Sequence, residues 1–205
     1  MNKEKSNSVL VIGNDPSINE IDFDKLDPSI ITVGTNRAWL KLIPDYLFFH
    51  DIKIFQELDK NPERLNKLKE NSHIMTSDWL KIWCNKNKVS LPSYAKPYNR
   101  PDRYKFVDCV TTAIEILDRY VYKRKMKYYI AGVSLTWKDP SHFWKTDIEK
   151  GIGNSKGPSW YIPRFNRAYA NFVKLKSKRF DIVSVTEDSK LNKIFRYESI
   201  GNLYS

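Results

Sequence analysis

Short runs of apolar residues recur along the chain, and polar, turn-forming residues follow each of them. The runs are rich in β-branched and aromatic side chains and hold few charges. This pattern is typical of strands that are buried on both faces of a parallel sheet. It predicts strands at residues 9–12, 30–33, 45–49, 128–133 and 182–185, with a shorter one at 74–76.

Between these runs, apolar residues recur at helical spacing. The clearest helix is predicted at residues 107–122, where apolar side chains fall at three- and four-residue steps. Residues 52–71 are also predicted to be helical, with a division near Pro62. Helical segments are further expected from about Arg164 to residue 176 and at residues 189–195. Residues 79–101 are expected to form an irregular surface region or an edge hairpin.

The alternation of strands and helices predicts the fold class. It indicates an α/β, Rossmann-like, doubly wound and mostly parallel sheet with helices on both faces. Neither a linker nor an internal repeat divides the chain, so residues 1–205 are expected to form a single α/β domain. Residues 134–160 lack periodicity but contain several aromatic side chains, and we expect them to form a lid.

Polar clusters follow the first three predicted strands at corresponding points. Gly13 and the cluster at residues 14–17, with Asn14, Pro16 and Ser17, follow the first strand. Residues 35–37, with Asn36 in the middle, follow the second strand, and His50 and Asp51 follow the third. The carboxyl ends of parallel strands meet at one edge of the sheet, where ligands bind in open α/β folds. The three clusters are therefore expected to form one crevice.

The first of these clusters has two interpretations. Gly13 allows a sharp turn and a close approach to a ligand, and the free N–H groups after Pro16 suit an anion such as phosphate. The same residues also suit an ordinary turn at the end of a strand. The cluster lacks the second and third glycines of the dinucleotide fingerprint G-x-G-x-x-G.

Composition narrows the range of partners and compartments. A formal net charge of +11 favours an acidic partner, such as nucleic acid or a phosphorylated substrate, although scattered lysines also follow from an AT-rich genome. The two cysteines are far apart in sequence, so we expect reduced thiols and a cytoplasmic protein. No signal peptide or transmembrane segment is expected, and the sequence leaves a homo-oligomer open.

The opening stretch Val-Ile-Gly-Asn-Asp-Pro-Ser, residues 11–17, resembles the nucleotide-binding opening of the compact, Rossmann-like bacterial sialyltransferases, which reads Gly-Asn-Gly-Pro-Ser. Asn36 is similar to an Asn that contacts the nucleotide in that family. His50 stands where the family has a further Asn after the third strand. The resemblance implies a nucleotide-binding domain and a glycosyltransferase that uses a nucleotide sugar.

Later motifs extend this resemblance. Thr111 and Thr112 are similar to a Thr-Ser pair that starts the central helix and faces the phosphate and ribose. Gly132 and Ser134 fall on the family's strand that ends in Ser-Gly-Ile-Asp, with Ser134 in place of the Asp. The family's His-Tyr-Ile-Gly-His, whose last residue is the catalytic base, corresponds to residues 160–164, so Arg164 replaces that histidine.

The chain also resembles the 6-hydroxymethylpterin pyrophosphokinase-like proteins. These share the Gly-x-x-Pro-Ser opening, place Pro-Asp-Tyr before the third strand and place an Asp after it. Residues 44–46 and Asp51 correspond to those features. This resemblance implies a Mg²⁺-dependent pyrophosphoryl transferase. Nucleotide binding at the same edge of the sheet is common to both families.

Glycosyl transfer needs a base for the acceptor hydroxyl and stabilisation of the departing phosphate. His50, Asp51 and His142, the last in the expected lid, are the candidate bases, and Arg164 is placed to neutralise the phosphate. The resemblance to the sialyltransferases implies no metal and no cofactor besides the donor substrate. The net positive charge allows an acceptor that is itself an anionic glycan or a nucleic acid. A Mg²⁺-dependent phosphotransferase and a non-enzymatic module that binds nucleotide or nucleic acid are the alternatives.

Overall fold

A computed structural model describes residues 6–99, 108–122, 125–136, 158–178 and 180–205. Within these ranges, eight strands form one open sheet in which every neighbouring pair is parallel. The strands are β1 Ser8–Ile12, β2 Ile31–Thr35, β3 Tyr46–Phe49, β4 His73–Ser77, β5 Lys96–Tyr98, β6 Lys127–Ala131, β7 Asp181–Ser184 and β8 Arg196–Tyr197.

The strand order is β5-β4-β3-β2-β1-β6-β7-β8. The chain therefore builds the sheet outward from β1 to β5, crosses back to pair β6 with β1, and continues in the opposite direction. This reversal makes the sheet doubly wound and confirms the predicted fold class. The switch point lies between β1 and β6, which is where open α/β sheets bind their ligands.

Five α-helices and several 3₁₀ turns connect the described strands. The helices are α1 Ile52–Asp59, α2 Pro62–Asn71, α3 Asp78–Lys86, α4 Cys109–Ile116 and α5 Pro158–Ser177. The 3₁₀ turns are Pro16–Glu20, Phe23–Lys25, Asn36–Leu40, Lys190–Lys193 and Ile200–Leu203. None of the helices in the described ranges combines the length and the apolar character needed to cross a membrane.

Strand β1 is buried on both faces, as its unbroken apolar run predicts. Val9 and Val11 belong to a core cluster with α4 and α5, whereas Leu10 and Ile12 point to the other face. There they pack with Ile18 of the first 3₁₀ turn. A third cluster places α1, α2 and α3 against β3 and β4. The sheet is therefore the middle layer of three.

The structure differs from the predictions in two regions. Residues 79–101 contain most of α3 and the parallel edge strand β5, rather than an irregular region or a hairpin. Residues 189–195 contain a 3₁₀ turn, not an α-helix, and the edge strand β8 follows it. Both missed strands are only two or three residues long, so their pairing with the sheet defines them more than their own apolar pattern does.

The expected lid at residues 134–160 falls largely on residues 137–157, which lie outside the described ranges. Its first residues, 134–136, follow β6. Its last three, from Pro158 to Trp160, open helix α5, which starts earlier than the predicted onset at Arg164.

Candidate functional site

A cavity of about 190 Å³ opens at the carboxyl ends of β1, β2 and β6, beside the switch point. The first turn of α4 and one side of α5 complete its wall. Its lining residues are Gly13, Asn14, Asp15, Thr35, Asn36, Asp108, Cys109, Val110, Gly132, Val133, Ser134, Leu135, Phe165, Ala168 and Phe172. The crevice predicted from the polar strand ends therefore exists where β1 and β2 end.

Two glycines bring the ends of β1 and β6 into direct contact. The N–H of Gly13 donates to the carbonyl of Ala131 at 2.8 Å, and the N–H of Asp15 donates to the carbonyl of Gly132 at 2.9 Å. A Cβ on Gly13 would lie 2.2 Å from the Gly132 carbonyl oxygen. Gly132 has a φ of +66°, and a Cβ there would lie 2.2 Å from Cγ2 of Ile18. The cavity floor thus requires glycine at both positions.

The side chain of Asn14 joins the loops that follow β1 and β2. Its Nδ2 donates to the Thr35 carbonyl at 3.0 Å, and its Oδ1 accepts from the N–H of Arg37 at 3.2 Å. The Thr35 hydroxyl in turn donates to the carbonyl of Ile12 at 2.9 Å. Because both ends of the amide are engaged with the backbone, Asn14 holds the two strand ends at a fixed separation.

Asp15 and Ser134 meet across the cavity. The Asp15 carboxylate begins the 3₁₀ turn Pro16–Glu20 by accepting from the N–H of Ser17 at 3.0 Å through Oδ1. Its Oδ2 accepts from the hydroxyl of Ser134, which follows β6. Both side chains are buried. The pair places a carboxylate between the β1 and β6 loops, at the switch point of the sheet.

Asp108 is the N-cap residue of α4. Its Oδ1 accepts from the N–H of Thr111 at 2.9 Å, and its Oδ2 accepts from the Thr111 hydroxyl and from Nδ2 of Asn171 at 2.7 Å. Burial raises the pKa of Asp108, and the hydrogen bonds from Asn171 and Thr111 oppose that rise. The carboxylate thereby ties α4 to α5 at the cavity wall.

Cys109, His50 and Asn36 form a second polar group at the cavity margin. The Cys109 thiol donates to Oδ1 of Asn36 at 3.1 Å, and its sulfur lies 3.3 Å from Nδ1 of His50. Asn36 adopts a left-handed backbone with a φ of +48°, which asparagine tolerates better than most residues. Burial, with a contribution from the Asp108 carboxylate, raises the pKa of the Cys109 thiol.

The structure brings some of the predicted site residues to the cavity wall. Those that line the cavity are Gly13, Asn14, Asn36, Gly132 and Ser134. His50 reaches the margin through Cys109. Pro16 and Ser17 form the start of the adjacent 3₁₀ turn, and the buried Thr111 and Thr112 lie in the first turn of α4, behind the lining residues. Their ligand contacts remain predictions.

Two of the other predicted catalytic residues, Asp51 and Arg164, are not among the residues that line the cavity. Asp51 is exposed and caps α1 by accepting from the N–H of Lys53 at 3.0 Å. The Arg164 guanidinium lies over the ring of Trp160, 3.4 Å from its centre, and donates to that residue's carbonyl at 2.8 Å. His142 lies outside the described residues. The catalytic roles of all three remain predictions.

Sequence reasoning missed Asp15, Asp108 and Cys109 as candidate site residues, together with the aromatic wall on α5. Asp108 could have been found, because an Asp just before an apolar helical run is a typical N-cap, and helix N-termini meet the carboxyl edge of a parallel sheet. Phe165 and Phe172 fall seven residues apart on α5, which indicates one helix face but not what that face covers.

Comparison with solved structures identifies the fold. The sialyltransferase CST-II in complex with trisaccharide acceptor and CMP superposes with a TM-score of 0.58 at 14% identity, covering 97% of this chain and 88% of that one. The monofunctional α-2,3-sialyltransferase Cst-I from Campylobacter jejuni superposes with a TM-score of 0.52 at 18% identity, covering 100% and 86%. This chain has the fold of those sialyltransferases.

A further structure, CstII from Campylobacter jejuni in complex with cytidine-5′-monophosphate, gives a TM-score of 0.52 at 12% identity, with coverage of 98% of this chain and 88% of that chain. No protein-family model and no curated protein matches the sequence. The likeness extends over nearly the whole chain. It confirms at the level of the fold the resemblance that the opening motif indicated.

Proposed function

We propose that the chain is a glycosyltransferase whose nucleotide-sugar donor binds in the cavity between β1, β2 and β6. The observation that carries this proposal is the position of the cavity, at the switch point of a sheet that shares its fold with sialyltransferases solved with CMP. Ligands of open α/β sheets bind at this point, so fold and cavity favour the same substrate class.

The size of the cavity supports a division of the donor between two regions. At about 190 Å³, the cavity is smaller than the roughly 300–1,000 Å³ of pockets that enclose a drug-sized ligand. It suits the nucleoside half of the donor, with Phe165 and Phe172 as an apolar wall beside polar strand ends. The sugar then extends outward past the cavity margin, where His50 lies.

His50 is our candidate for the general base. Its imidazole lies against Cys109, which lines the cavity, whereas Asp51 is exposed and caps a helix. A histidine at the margin is placed to take the proton from an acceptor hydroxyl. The formal net charge of +11 supports an anionic acceptor. Both cysteines are free and buried, which supports a cytoplasmic location for the same enzyme.

The stretch that resembles the pyrophosphokinases has a structural role. Asp45 precedes β3, at the amino edge of the sheet and opposite the cavity. Its Oδ2 accepts from the N–H and from the hydroxyl of Thr32, both at 2.8 Å. This carboxylate therefore joins β2 to the start of β3. Because it lies at the edge of the sheet opposite the cavity, it gives no support to the phosphotransferase, and the glycosyltransferase remains the function we propose.

The first test is a thermal-shift panel of CMP, CDP, UDP, GDP, ADP and ATP, each with and without Mg²⁺. A ligand that binds only the folded state raises the melting temperature. We expect a metal-independent shift with CMP or with one of the diphosphates. A shift with ATP that appears only with Mg²⁺ would support the phosphotransferase instead, and no shift with any nucleotide would contradict the proposal.

Two variants control this panel. Asn36→Gly removes a side chain from the cavity wall while keeping its left-handed backbone accessible, so we expect the nucleotide shift to shrink. Asn66→Ala changes an exposed asparagine on α2 and should leave the shift unchanged. Equal shifts in both variants would mean that the nucleotide binds elsewhere.

Turnover tests the base separately from binding. Donor consumption by His50→Gln should fall by roughly 10²- to 10⁴-fold in kcat, the usual contribution of a general base, while the nucleotide shift persists. The measurement is mass spectrometry of the reaction products. The donor substrate is a sugar conjugate of whichever nucleotide binds, and the acceptors are a panel of anionic glycans. Unchanged kcat in His50→Gln would exclude His50 as the base.

A further inference from the structure

The cavity wall is rich in hydrogen-bond acceptors. The carboxylates of Asp15 and Asp108 line it. The side chains of Asn14, Thr35 and Asn36 add further oxygen atoms to the wall. Among the described residues that line the cavity, none is lysine, arginine or histidine. This composition is unsuited to a phosphate group pressed against the wall, and it favours a ligand part that offers O–H or N–H donors.

The two carboxylates differ in how far the protein already satisfies them. Asp108 accepts three hydrogen bonds, two from Thr111 and one from Asn171. Asp15 accepts one bond at each oxygen, from the N–H of Ser17 and from the hydroxyl of Ser134. An ionised carboxylate has about four acceptor positions. Asp15 therefore keeps one acceptor position on each oxygen for a ligand.

We propose that the Asp15 carboxylate binds the vicinal 2′- and 3′-hydroxyls of the donor's ribose and so makes the site selective for ribonucleotides. This proposal rests on the proposed function. The ribose is the part of a nucleotide that carries two neighbouring hydroxyl donors, and a carboxylate with one open position on each oxygen matches that pair. The same negative charge directs the phosphate away from the β1–β6 junction.

Asp15 is 9% exposed and lines the cavity. The N–H of Ser17 and the Ser134 hydroxyl fix its orientation from two different loops. A deoxyribose at this point would leave one acceptor position of the buried carboxylate without the hydroxyl donor that a ribose supplies. Loss of a hydrogen bond to a charged group in such a setting weakens binding by roughly 10- to 100-fold.

The hydrogen bond between Asp15 and Ser134 allows an exchange test. In Asp15→Ser/Ser134→Asp, the carboxylate comes from the β6 loop and the hydroxyl from the β1 loop, so the same pair faces the cavity in reverse. Serine is also a good N-cap, so the first 3₁₀ turn keeps its cap. Asp15→Asn keeps the cap oxygen for Ser17 but removes the negative charge.

The control is Asp22→Asn. Like Asp15, Asp22 caps a 3₁₀ turn, Phe23–Lys25, by accepting from the N–H of Asp24, and it also forms an ion pair with Lys25 at 2.9 Å. Asp22 is exposed and is not among the residues that line the cavity. Any effect of the Asp-to-Asn change on turn stability alone should therefore occur in both variants. Only an effect on the ligand should be specific to Asp15.

The experiment is isothermal titration calorimetry with CMP, CDP, UDP, GDP and ADP, each compared with its 2′-deoxy counterpart. We expect wild type and Asp22→Asn to bind the ribonucleotide roughly 10- to 100-fold more tightly than the deoxynucleotide. Asp15→Asn should reduce this ratio to near one, and the exchange variant should restore most of it.

The outcomes separate this inference from the proposed function. Binding of ribo- and deoxyribonucleotides with equal Kd by the wild type, or an unchanged ratio in Asp15→Asn, would overturn the role of Asp15 and leave nucleotide binding standing. Absence of binding to any of these nucleotides in the wild type would overturn both. A ratio lost in Asp15→Asn and regained in the exchange variant would establish the ribose contact.

Discussion

Gly132→Ala tests the argument that the junction of β1 and β6 is built on backbone that only glycine fits. Gly132 has a φ of +66°, and an added Cβ would lie 2.2 Å from Cγ2 of the fully buried Ile18. The left-handed backbone costs an alanine about 1–2 kcal/mol. Displacing a packed core side chain adds about 1–3 kcal/mol. We therefore expect the free energy of unfolding to fall by about 2–5 kcal/mol.

The assay is urea unfolding followed by tryptophan fluorescence, for which the chain has six tryptophans. Gly201→Ala is the matched control, because its Cβ would meet only the Ser199 hydroxyl at 3.5 Å, an ordinary contact. A typical domain has about 5–15 kcal/mol of stability, so we expect the Gly132→Ala variant to remain folded and measurable.

A double-mutant cycle with Ile18→Ala separates the two contributions. That substitution removes the methyl group that an alanine at position 132 would strike, so the double variant should cost about 1–3 kcal/mol less than the sum of the single variants. The reasoning is refuted if Gly132→Ala unfolds within about 0.5 kcal/mol of wild type. Additive costs in the cycle would instead show that Ile18 does not limit the space.

Three further predictions concern the cavity wall and its support. Burial raises the pKa of Asp108 above the ordinary 3.8, so the folded state holds the carboxyl proton to higher pH than the unfolded state does. The free energy of unfolding should therefore fall as pH rises from the ordinary pKa through the raised one. Urea titrations from pH 4 to 8 should show this fall in wild type and not in Asp108→Asn. The pKa of the Cys109 thiol is raised, so iodoacetamide should label it slowly at pH 8 in a Cys84→Ser variant, where it is the remaining thiol. Bound nucleotide should slow the labelling further. Labelling at the rate of a free thiol would contradict the burial argument. Lys178→Ala removes an ion pair with the buried Glu115 and should cost about 1.5–3 kcal/mol, the usual contribution of a hydrogen bond to a charged group. The exposed Lys67→Ala should cost less than about 1 kcal/mol, and both are measured by urea unfolding.

The strands of the central sheet and the polar residues that end them could be predicted from sequence. In an apolar run such as residues 9–12, alternate side chains point to opposite faces, so all of them leave water only if both faces of the strand are buried. This pattern is typical of a parallel sheet. The edge strands β5 and β8 could not be predicted in this way. They are short, and their neighbours β4 and β7 supply the pairing that makes them strands.

Side-chain roles at the strand ends depended on contacts between distant segments. Asn14 was predicted to face the nucleotide, but its amide spans the β1 and β2 loops. Asp15, which the sequence indicated only as part of the turn after the first strand, meets Ser134 from the far side of the switch point. Sequence shows that both residues follow a strand, but not which neighbour each one reaches.

By itself, the sequence determined the fold class and the edge of the sheet where the cavity lies, because both follow from local burial and from the parallel direction of the strands. Only the tertiary structure decided which side chains form the cavity. Asp108 and Phe165 lie far apart in the chain and meet there because α4 and α5 pack on the same face of the sheet. Such convergence is set by the packing of whole elements, which no local pattern encodes.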